Sequence, residues 1–341
     1  MAWRRRTLVL SCTAGVAVAG IGAAVILMSR GGPGPAVPFH PPSPASASPP
    51  AAHPRSPFTG EPVRALGPVL AVKIDNVAQA RPPTGLTDAD IVYVLPVEGG
   101  LSRLLAVFSA HFPPVIGPVR SAREDDLELL RQFGRPGFAY SGAQSQLLPV
   151  VRQARTIDLY AGTAGGYFRD LSRIAPHNLY AATRTLLAEA AGASTARDIG
   201  FVFGPPPAGG LAAASRSVAY PAASFTFTWS AAKGRWLVQM DGSAAGTTED
   251  GQLSAATVVV QYTVVRTSRF LEQGVPPPYA QSTGAGTAVV LRDGKAYNAR
   301  WTRPAADGGT RFTTADGQPM PFARGPVWIV LAASPSASAG G

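Results

Sequence analysis

Val69-Leu-Ala-Val-Lys-Ile-Asp-Asn76 opens the patterned part of the chain. Six residues, apolar but for Lys73, are followed by two polar ones. A short apolar run bounded by turn residues reads as a buried strand, so Asp75 and Asn76 fall at its C-terminal edge. In open α/β sheets that edge is where ligands bind. Asp90-Ile-Val-Tyr-Val-Leu95 and Leu104-Leu-Ala-Val-Phe108 repeat the pattern. Arg123–Phe133 is amphipathic, with Leu127, Leu129 and Leu130 apolar and Glu124, Asp125, Asp126 and Glu128 polar. It reads as a helix ended by Gly134. Gln144–Ala154 and Thr183–Ala191 are further helix candidates. Strands and helices in alternation argue for a mixed α/β layer over residues 58–205.

From about residue 215 the pattern changes. Ser224-Phe-Thr-Phe-Thr-Trp229 alternates strictly, and Arg235-Trp-Leu-Val-Gln-Met240 follows a short glycine-containing turn, so the pair reads as a hairpin. Thr257–Val265 is a long β-branched run. Thr287–Leu291 and Ala296–Trp301 flank Asp293-Gly294, a second hairpin with a type I′-like turn. Pro326–Leu331 reads as a last strand. The expected fold class is therefore α+β: a mixed N-terminal domain, then a β-rich C-terminal domain over 215–333. The stretch Gly204–Gly210, with three consecutive prolines, divides them.

Before these domains, Arg4-Arg5-Arg6 precede an uncharged, mostly apolar run from Thr7 to Met28. That run would be roughly 33 Å long as a helix, enough to cross a bilayer with the arginines inside. Residues 1–30 are read as a membrane anchor that leaves the folded domains on the extracytoplasmic side of the cell membrane. Two rival readings stay open. One is a cleaved signal peptide, whose tidiest site is Ala45-Ser46-Ala47. The other is lipidation of Cys12 in Val9-Leu-Ser-Cys12. Residues 31–57 hold ten prolines between Pro33 and Pro57 and form a Pro/Ala/Ser-rich linker. Residues 334–341 read as a disordered tail.

Composition excludes several classes. The chain has 341 residues, 46% hydrophobic and 15% charged, so it can bury a sizeable core. One cysteine excludes a disulfide framework, and four histidines leave little room for a histidine-rich metal centre. The net charge is +10, yet Lys73, Lys233 and Lys295 are the only lysines. The basic charge is thus almost all arginine, scattered without a stripe of aromatics, and gives no nucleic-acid signature. There is no Walker loop, metalloprotease helix, nucleophile elbow or dinucleotide fingerprint, and no cofactor is expected. Ser230-Ala-Ala-Lys233 matches a catalytic pattern by letters only, because it lies in a hairpin turn. Asp88-Ala-Asp90 could hold a metal, but turn chemistry explains both aspartates.

Three clusters carry candidate chemistry. In Gly117-Pro-Val-Arg-Ser-Ala-Arg-Glu124, Ser121 and Glu124 are spaced as a capping box. With Arg120 and Arg123, the helix start would bind an anion; the bland alternative is a capped helix whose acids neutralise those arginines. Val97-Glu-Gly-Gly100 sets Glu98 between apolar segments, as a partly buried carboxylate or as the salt-bridge partner of Arg103 or Arg120. Tyr167-Phe-Arg-Asp170 and Pro176-His-Asn178 set His177 near Asp170, as a general acid–base or a structural histidine.

Several of these segments together resemble the YerB-like lipoprotein family, known as domain of unknown function 3048. The resemblance rests on Val72-Lys-Ile-Asp-Asn76, Ala80-Arg-Pro-Pro83, Gly85-Leu-Thr-Asp-Ala-Asp-Ile-Val-Tyr93, Val97-Glu-Gly-Gly100, Gly117–Arg123 and Ala175-Pro-His-Asn-Leu179. Arg292-Asp-Gly-Lys295, Trp301 and Gly325-Pro-Val-Trp328 resemble the family's second, β-rich domain. It spans nearly all of residues 58–332 and implies architecture and compartment but no activity. The family usually has an acid after the equivalent of Tyr93, where this chain has Val94, which weakens a two-carboxylate mechanism. Many members also have a clear lipobox, which is absent here.

Three functions are carried forward. The first is binding of an anionic envelope ligand, such as a phosphate- or carboxylate-bearing glycan, by Arg120, Ser121 and Arg123, with Arg81, Arg169 and Asn76 helping. The second is an envelope hydrolase or phosphotransferase with Glu98, Asp75 and His177 as its catalytic residues. The third is a protein–protein scaffold offering a strand edge. The N-terminal reading predicts a membrane-bound product whose bulk is outside. Fractionation with external protease checks it, and a released product lacking residues 1–47 would mark a cleaved signal.

Overall fold

Leu70–Asp75 (β1) is buried at every position, as are Ile91–Pro96 (β2) and Ser102–Phe108 (β3) in the computed structural model. The structure describes residues 32, 34, 53–249, 251–272 and 274–334. The Thr7–Met28 run, Cys12, most of the linker and tail residues 335–341 lie outside those residues. No helix among the described residues is long and apolar enough to cross a membrane.

Burial on both faces follows from the alternation of side chains along a strand. Leu70, Val72 and Ile74 enter one hydrophobic cluster, and Ala71 enters another on the opposite face. The remaining strands of the large sheet are Gly137–Tyr140 (β4), Ile157–Tyr160 (β5), Thr257–Thr263 (β6), Gly284–Arg292 (β7), Lys295–Arg303 (β8), Arg311–Thr314 (β9) and Val327–Ala333 (β10). They lie in the order β9-β8-β7-β6-β10-β2-β3-β1-β4-β5, and Leu211–Ala212 adds a short strand beside β8. β6, β10 and β2 run parallel, as do β1, β4 and β5; the other neighbours are antiparallel. Sequence from both regions therefore shares one sheet, joined where Ile91–Val94 pairs with Val327–Val330.

One face is covered by a second antiparallel sheet of Ser215–Tyr220, Ala223–Ser230, Arg235–Met240 and two short strands. Phe225 and Phe227 of that sheet reach Trp328 of β10, with ring centroids 6.4 and 6.0 Å away. The other face is covered by Glu124–Leu130 (α1), by Leu148–Arg152 (α2) and by aromatics that include Phe133, Phe201 and Phe322.

The protein is thus sheet-rich, and the expected α/β layer is corrected. Among the described residues the α-helices are short: α1, α2 and Thr183–Glu189 (α3) have seven, five and seven residues. The physical reason is connectivity: β3 runs antiparallel to both β1 and β2, and such neighbours need no helical crossover. The capping expectation is corrected too. The N-cap of α1 is Arg123, whose backbone N–H donates to Asp126 Oδ2 at 2.7 Å. Ser121 lies upstream because the chain stays extended through Ala122, whose N–H donates to the Gly142 carbonyl.

Glu124, Asp125 and Asp126 of α1 are buried and Glu128 is half-buried. Lys73 Nζ donates to Asp126 Oδ1 at 2.6 Å. Glu124 accepts from Ser268 Oγ, Asp125 from the Ala280 N–H, and Glu128 from Ser282 and Thr283. Burial beside the Asp126 charge pushes the Asp125 carboxyl up. Val94, where the family pattern has an acid, is fully buried in register with Leu104 and Val330, neither of which could partner a carboxylate.

Val330 has no exposed surface and pairs with both Val94 and Val260. Val330→Ala is expected to cost about 1–3 kcal/mol. The melting midpoint then falls by several degrees in one transition, seen alike by fluorescence and circular dichroism. Separate melting of the two regions would contradict the shared sheet.

Candidate functional site

The parallel strands β1, β4 and β5 end on the same side of the sheet, and residues 118–122 cross between the first two. Asp75 N–H donates to the Pro118 carbonyl, and Arg120 N–H to that of Lys73. Ser141 N–H, just beyond β4, donates to the Arg120 carbonyl. Extended backbone bonding thus fixes Arg120 at the C-terminal edge of these strands, where Asp75 ends β1.

Asp75 is almost wholly buried and meets an imidazole and a guanidinium. His177 Nδ1 lies 2.8 Å from Asp75 Oδ2, and Arg120 Nε lies 3.1 Å from the same oxygen. The Arg120 approach is not aligned as a hydrogen bond, and this buried Nε–H has no acceptor in the structure. The histidine partner differs from the expected one. Asp170 accepts from Ser172, with Arg173 3.6 Å away, while His177 turns inward to Asp75. Asn76 donates to Ser102 Oγ at 3.0 Å, and its buried Oδ1 is unpartnered.

Beside this group, Glu98 is held by two guanidiniums. Arg123 Nε donates to Oε2 at 2.8 Å and its Nη2 donates to Oε1; Arg103 Nη2 donates to Oε1 at 3.0 Å. Burial would raise the Glu98 carboxyl, but the Arg123 hydrogen bonds and the charges of Arg103 and Arg123 outweigh it and bring it down to about 2. Burial, reinforced by the neighbouring Arg123 charge, lowers Arg103 to about 10. Arg103 stands opposite Asp75 in the β1–β3 register and so lies between the two carboxylates. Together Arg103, Arg120 and Arg123 outnumber Asp75 and Glu98.

Two cavities flank these groups. One of about 530 Å³ is lined by Arg120, Ser121, Ser141, Tyr160, Tyr167 and Arg169, with apolar residues such as Phe168 and Leu179 between them. No carboxylate lines it. Arg169 Nη1 donates to Asn178 Oδ1 at 2.7 Å, and the Ser121 and Ser141 hydroxyls are 3.4 Å apart. The other, of about 560 Å³, is largely apolar, with Val97, Leu101, Val218, Tyr220 and Val275 in its wall, and Glu98 lines it.

Of the candidate residues, the structure brings together Asp75, Arg120 and His177, and gathers Arg120, Ser121 and Arg169 round one cavity. Arg123 is committed to Glu98 and lies outside that cavity. Arg81 is elsewhere: it donates to the Asn76 carbonyl at 2.7 Å and pairs with Asp241 at 2.7 Å. α1 does not aim its N-terminus into the cavity as an anion site, since Asp126 takes up the Arg123 N–H. Asp90 accepts three hydrogen bonds from Ser109 and Ala110, and no group of three metal-ligating side chains forms among the described residues. Sequence reasoning missed Tyr160 and quoted Tyr167 only within the Tyr167–Asp170 segment. The signal available was Ile157-Asp-Leu-Tyr160, apolar but for one residue and followed by a glycine-rich turn.

A mixed sheet sandwiched between covering layers, with a cationic cavity at the ends of three parallel strands, is the class of protein these observations define. Residues 58–196 match the family described as protein of unknown function (DUF3048), N-terminal domain, and residues 216–329 match its C-terminal domain. The chain belongs to the DUF3048 family. It is 45% identical over 64 residues to "Putative lipoprotein YerB" of Bacillus subtilis (strain 168), a match spanning 19% of each chain. Its fold is similar to the crystal structure of YerB protein from Bacillus subtilis, with a TM-score of 0.69 and 20% identity, covering 82% of this chain and 96% of that one.

The Glu98 carboxyl is held below its ordinary value of 4.5, so its stabilising contribution is complete above that pH and fades as pH falls toward about 2. Glu98→Gln is expected to lower the melting midpoint by a few degrees at pH 7, because Arg103 and Arg123 then face each other without a counter-charge. Parent and variant converge as the pH approaches 2. A constant gap between the two melting curves across that acid range would exclude the ion pairing.

Proposed function

We propose that this protein binds an anionic ligand, a phosphate- or carboxylate-bearing glycan of the cell envelope, in the cavity lined by Arg120 and Arg169. The observation that carries the reading is the buried Arg120 Nε–H without an acceptor, beside a cavity that no carboxylate lines. An orphaned guanidinium donor is costly unless something accepts from it, and charge-assisted bonds to oxyanions are the strong ones. Ser121, Ser141 and Tyr160 add hydroxyls suited to a sugar. On this reading the folded part stands outside a membrane, held there by the N-terminal segment, through its apolar run or through a lipid on Cys12. The name of the Bacillus relative, a lipoprotein, supports that attachment. The folded part is read as two regions meeting near residues 205–215, in keeping with the two family matches.

A second reading is favoured by one contact. His177 at 2.8 Å from Asp75 has the geometry of an acid–base oriented by a carboxylate, which suits a hydrolase or phosphotransferase acting on the same anion. Glu98 joins this reading only as a positioning residue, since two arginines hold it.

The test uses the full-length chain and follows the His177 imidazole resonances by NMR during titration with inorganic phosphate and glucose 1-phosphate. Saturable shifts are expected, with the sugar phosphate the tighter ligand. Arg120→Ala weakens binding roughly ten- to a hundredfold, and Arg120→Lys restores part, since a point charge does not reproduce the fork. No response in the parent, with only a lower melting midpoint in Arg120→Ala, would make Arg120 a structural partner of Asp75. Release of phosphate from the sugar ester, lost in His177→Gln, would select the enzymatic reading.

A further inference from the structure

Three arginines from three separate segments meet round another cavity, of about 380 Å³, that has no part in the reading above. Its lining includes Arg235 at the start of a strand of the second sheet, Arg292 at the end of β7, and Arg324 in the loop before β10. Gly204, Pro205, Gly234, Asp293 and Ala323 complete the wall.

Asp293 is the one carboxylate lining this cavity, and Arg292 already takes it. Arg292 Nε and Nη2 approach Asp293 Oδ2 at 2.9 and 2.8 Å, while Nη1 donates to the carbonyls of Gly204 and Pro321. This buried guanidinium has acceptors at Nε and Nη1, and Asp293 offsets its charge. Arg235 and Arg324 are not compensated: among the described residues neither makes an ion pair. Arg235 Nη1 donates at 3.3 Å to the adjacent Gly234 carbonyl. Its Nη2 would lie 3.0 Å from a Cβ at Gly325, where the backbone has φ +122. A side chain there would strain the backbone and push the guanidinium aside by a few tenths of an ångström. Two like charges converging on one concavity repel each other unless an anion lies between them.

We infer that this cavity is a second anion site, one that takes a phosphoryl group. A carboxylate is planar and is satisfied by one guanidinium fork, whereas a phosphoryl group presents oxygens in several directions and suits guanidiniums arriving from different segments. The volume leaves room for the group that carries the phosphate.

The site is distinct from the Arg120 cavity. Arg292 pairs with Thr257, Thr257 with Val327, and Val327 with Ile91, so the arginine cluster lies where β6, β10 and β2 begin. Asp75 and Arg120 lie where β1 ends, and β1 runs in the same direction as β2, because both are antiparallel to β3. The two basic cavities therefore occupy opposite edges of the sheet.

Trp229 reports on the second site. Its indole Nε1 would lie 2.8 Å from a Cβ at Gly294, next to Asp293. The full-length chain is titrated with inorganic phosphate and with glycerol 3-phosphate while the Trp229 indole and His177 imidazole resonances are followed separately. The expected result is a saturable shift at Trp229, weakened roughly ten- to a hundredfold in Arg324→Ala and abolished when Arg235→Ala is added. Arg324→Ala removes an exposed side chain without a hydrogen bond or ion pair among the described residues, so its circular dichroism and melting midpoint stay those of the parent. A tighter response to glycerol 3-phosphate than to phosphate marks an ester as the natural ligand; equal responses mark free phosphate. A Trp229 resonance that answers neither probe, or answers equally in the variants, overturns the second site. Failure of the first site is separate: His177 stays silent while Trp229 responds.

Discussion

Four residues of β2, Ile91–Val94, lie in parallel register with Val327–Val330 of β10, and this pairing closes the molecule. β2 belongs to the first region and β10 is the last strand, so the contact joins opposite ends of the folded chain. It sets β6, β7 and β8 on one side of the seam and β3, β1, β4 and β5 on the other. Trp328 then carries the second sheet, through Phe225 and Phe227. Parallel partners so far apart cannot be joined by a tight turn, and the entropy of closing such a loop must be met before the strand pairing contributes.

Within that frame the interior is unusually ionic. Lys73 and Asp126 form a pair with no exposed surface. Ions taken out of water are tolerated only when closely partnered, and removing one partner of a buried pair is strongly destabilising. α1 obeys this rule with three buried acids and the half-buried Glu128, each given donors by β1 or by residues 268–283. At the β1 edge the partnering is incomplete. Three guanidiniums face two carboxylates, and one Arg120 N–H is unmatched. The anion-binding reading rests on that imbalance.

Much of this was legible in local sequence. The apolar runs that begin near Val69, Asp90 and Leu104 became β1, β2 and β3, because period and turn residues act over a few positions. Asp293-Gly294 forms the expected turn, with φ of 50° and 70° that asparagine-like residues and glycine tolerate. The helix pattern at Arg123–Phe133 located α1 to within a few residues. What covers its polar face was not legible there, since periodicity shows which residues share a face but not what lies against it. The donors of residues 268–283 lie too far along the chain to be seen in a helical window.

The sequence by itself determined the strands, the hairpins, the family motifs and the charged character of residues 117–124, because each depends on neighbours a few positions away. Tertiary structure alone decided the partners. It turned His177 from nearby Asp170 to distant Asp75, gave Glu98 to Arg123 as well as Arg103, and joined Arg120 with Arg169 round one cavity. It also brought Arg235, Arg292 and Arg324 together from segments with no common motif. The reason is physical: an ion's partner is chosen by distance and desolvation in the folded state, and these become defined only when remote strands pair.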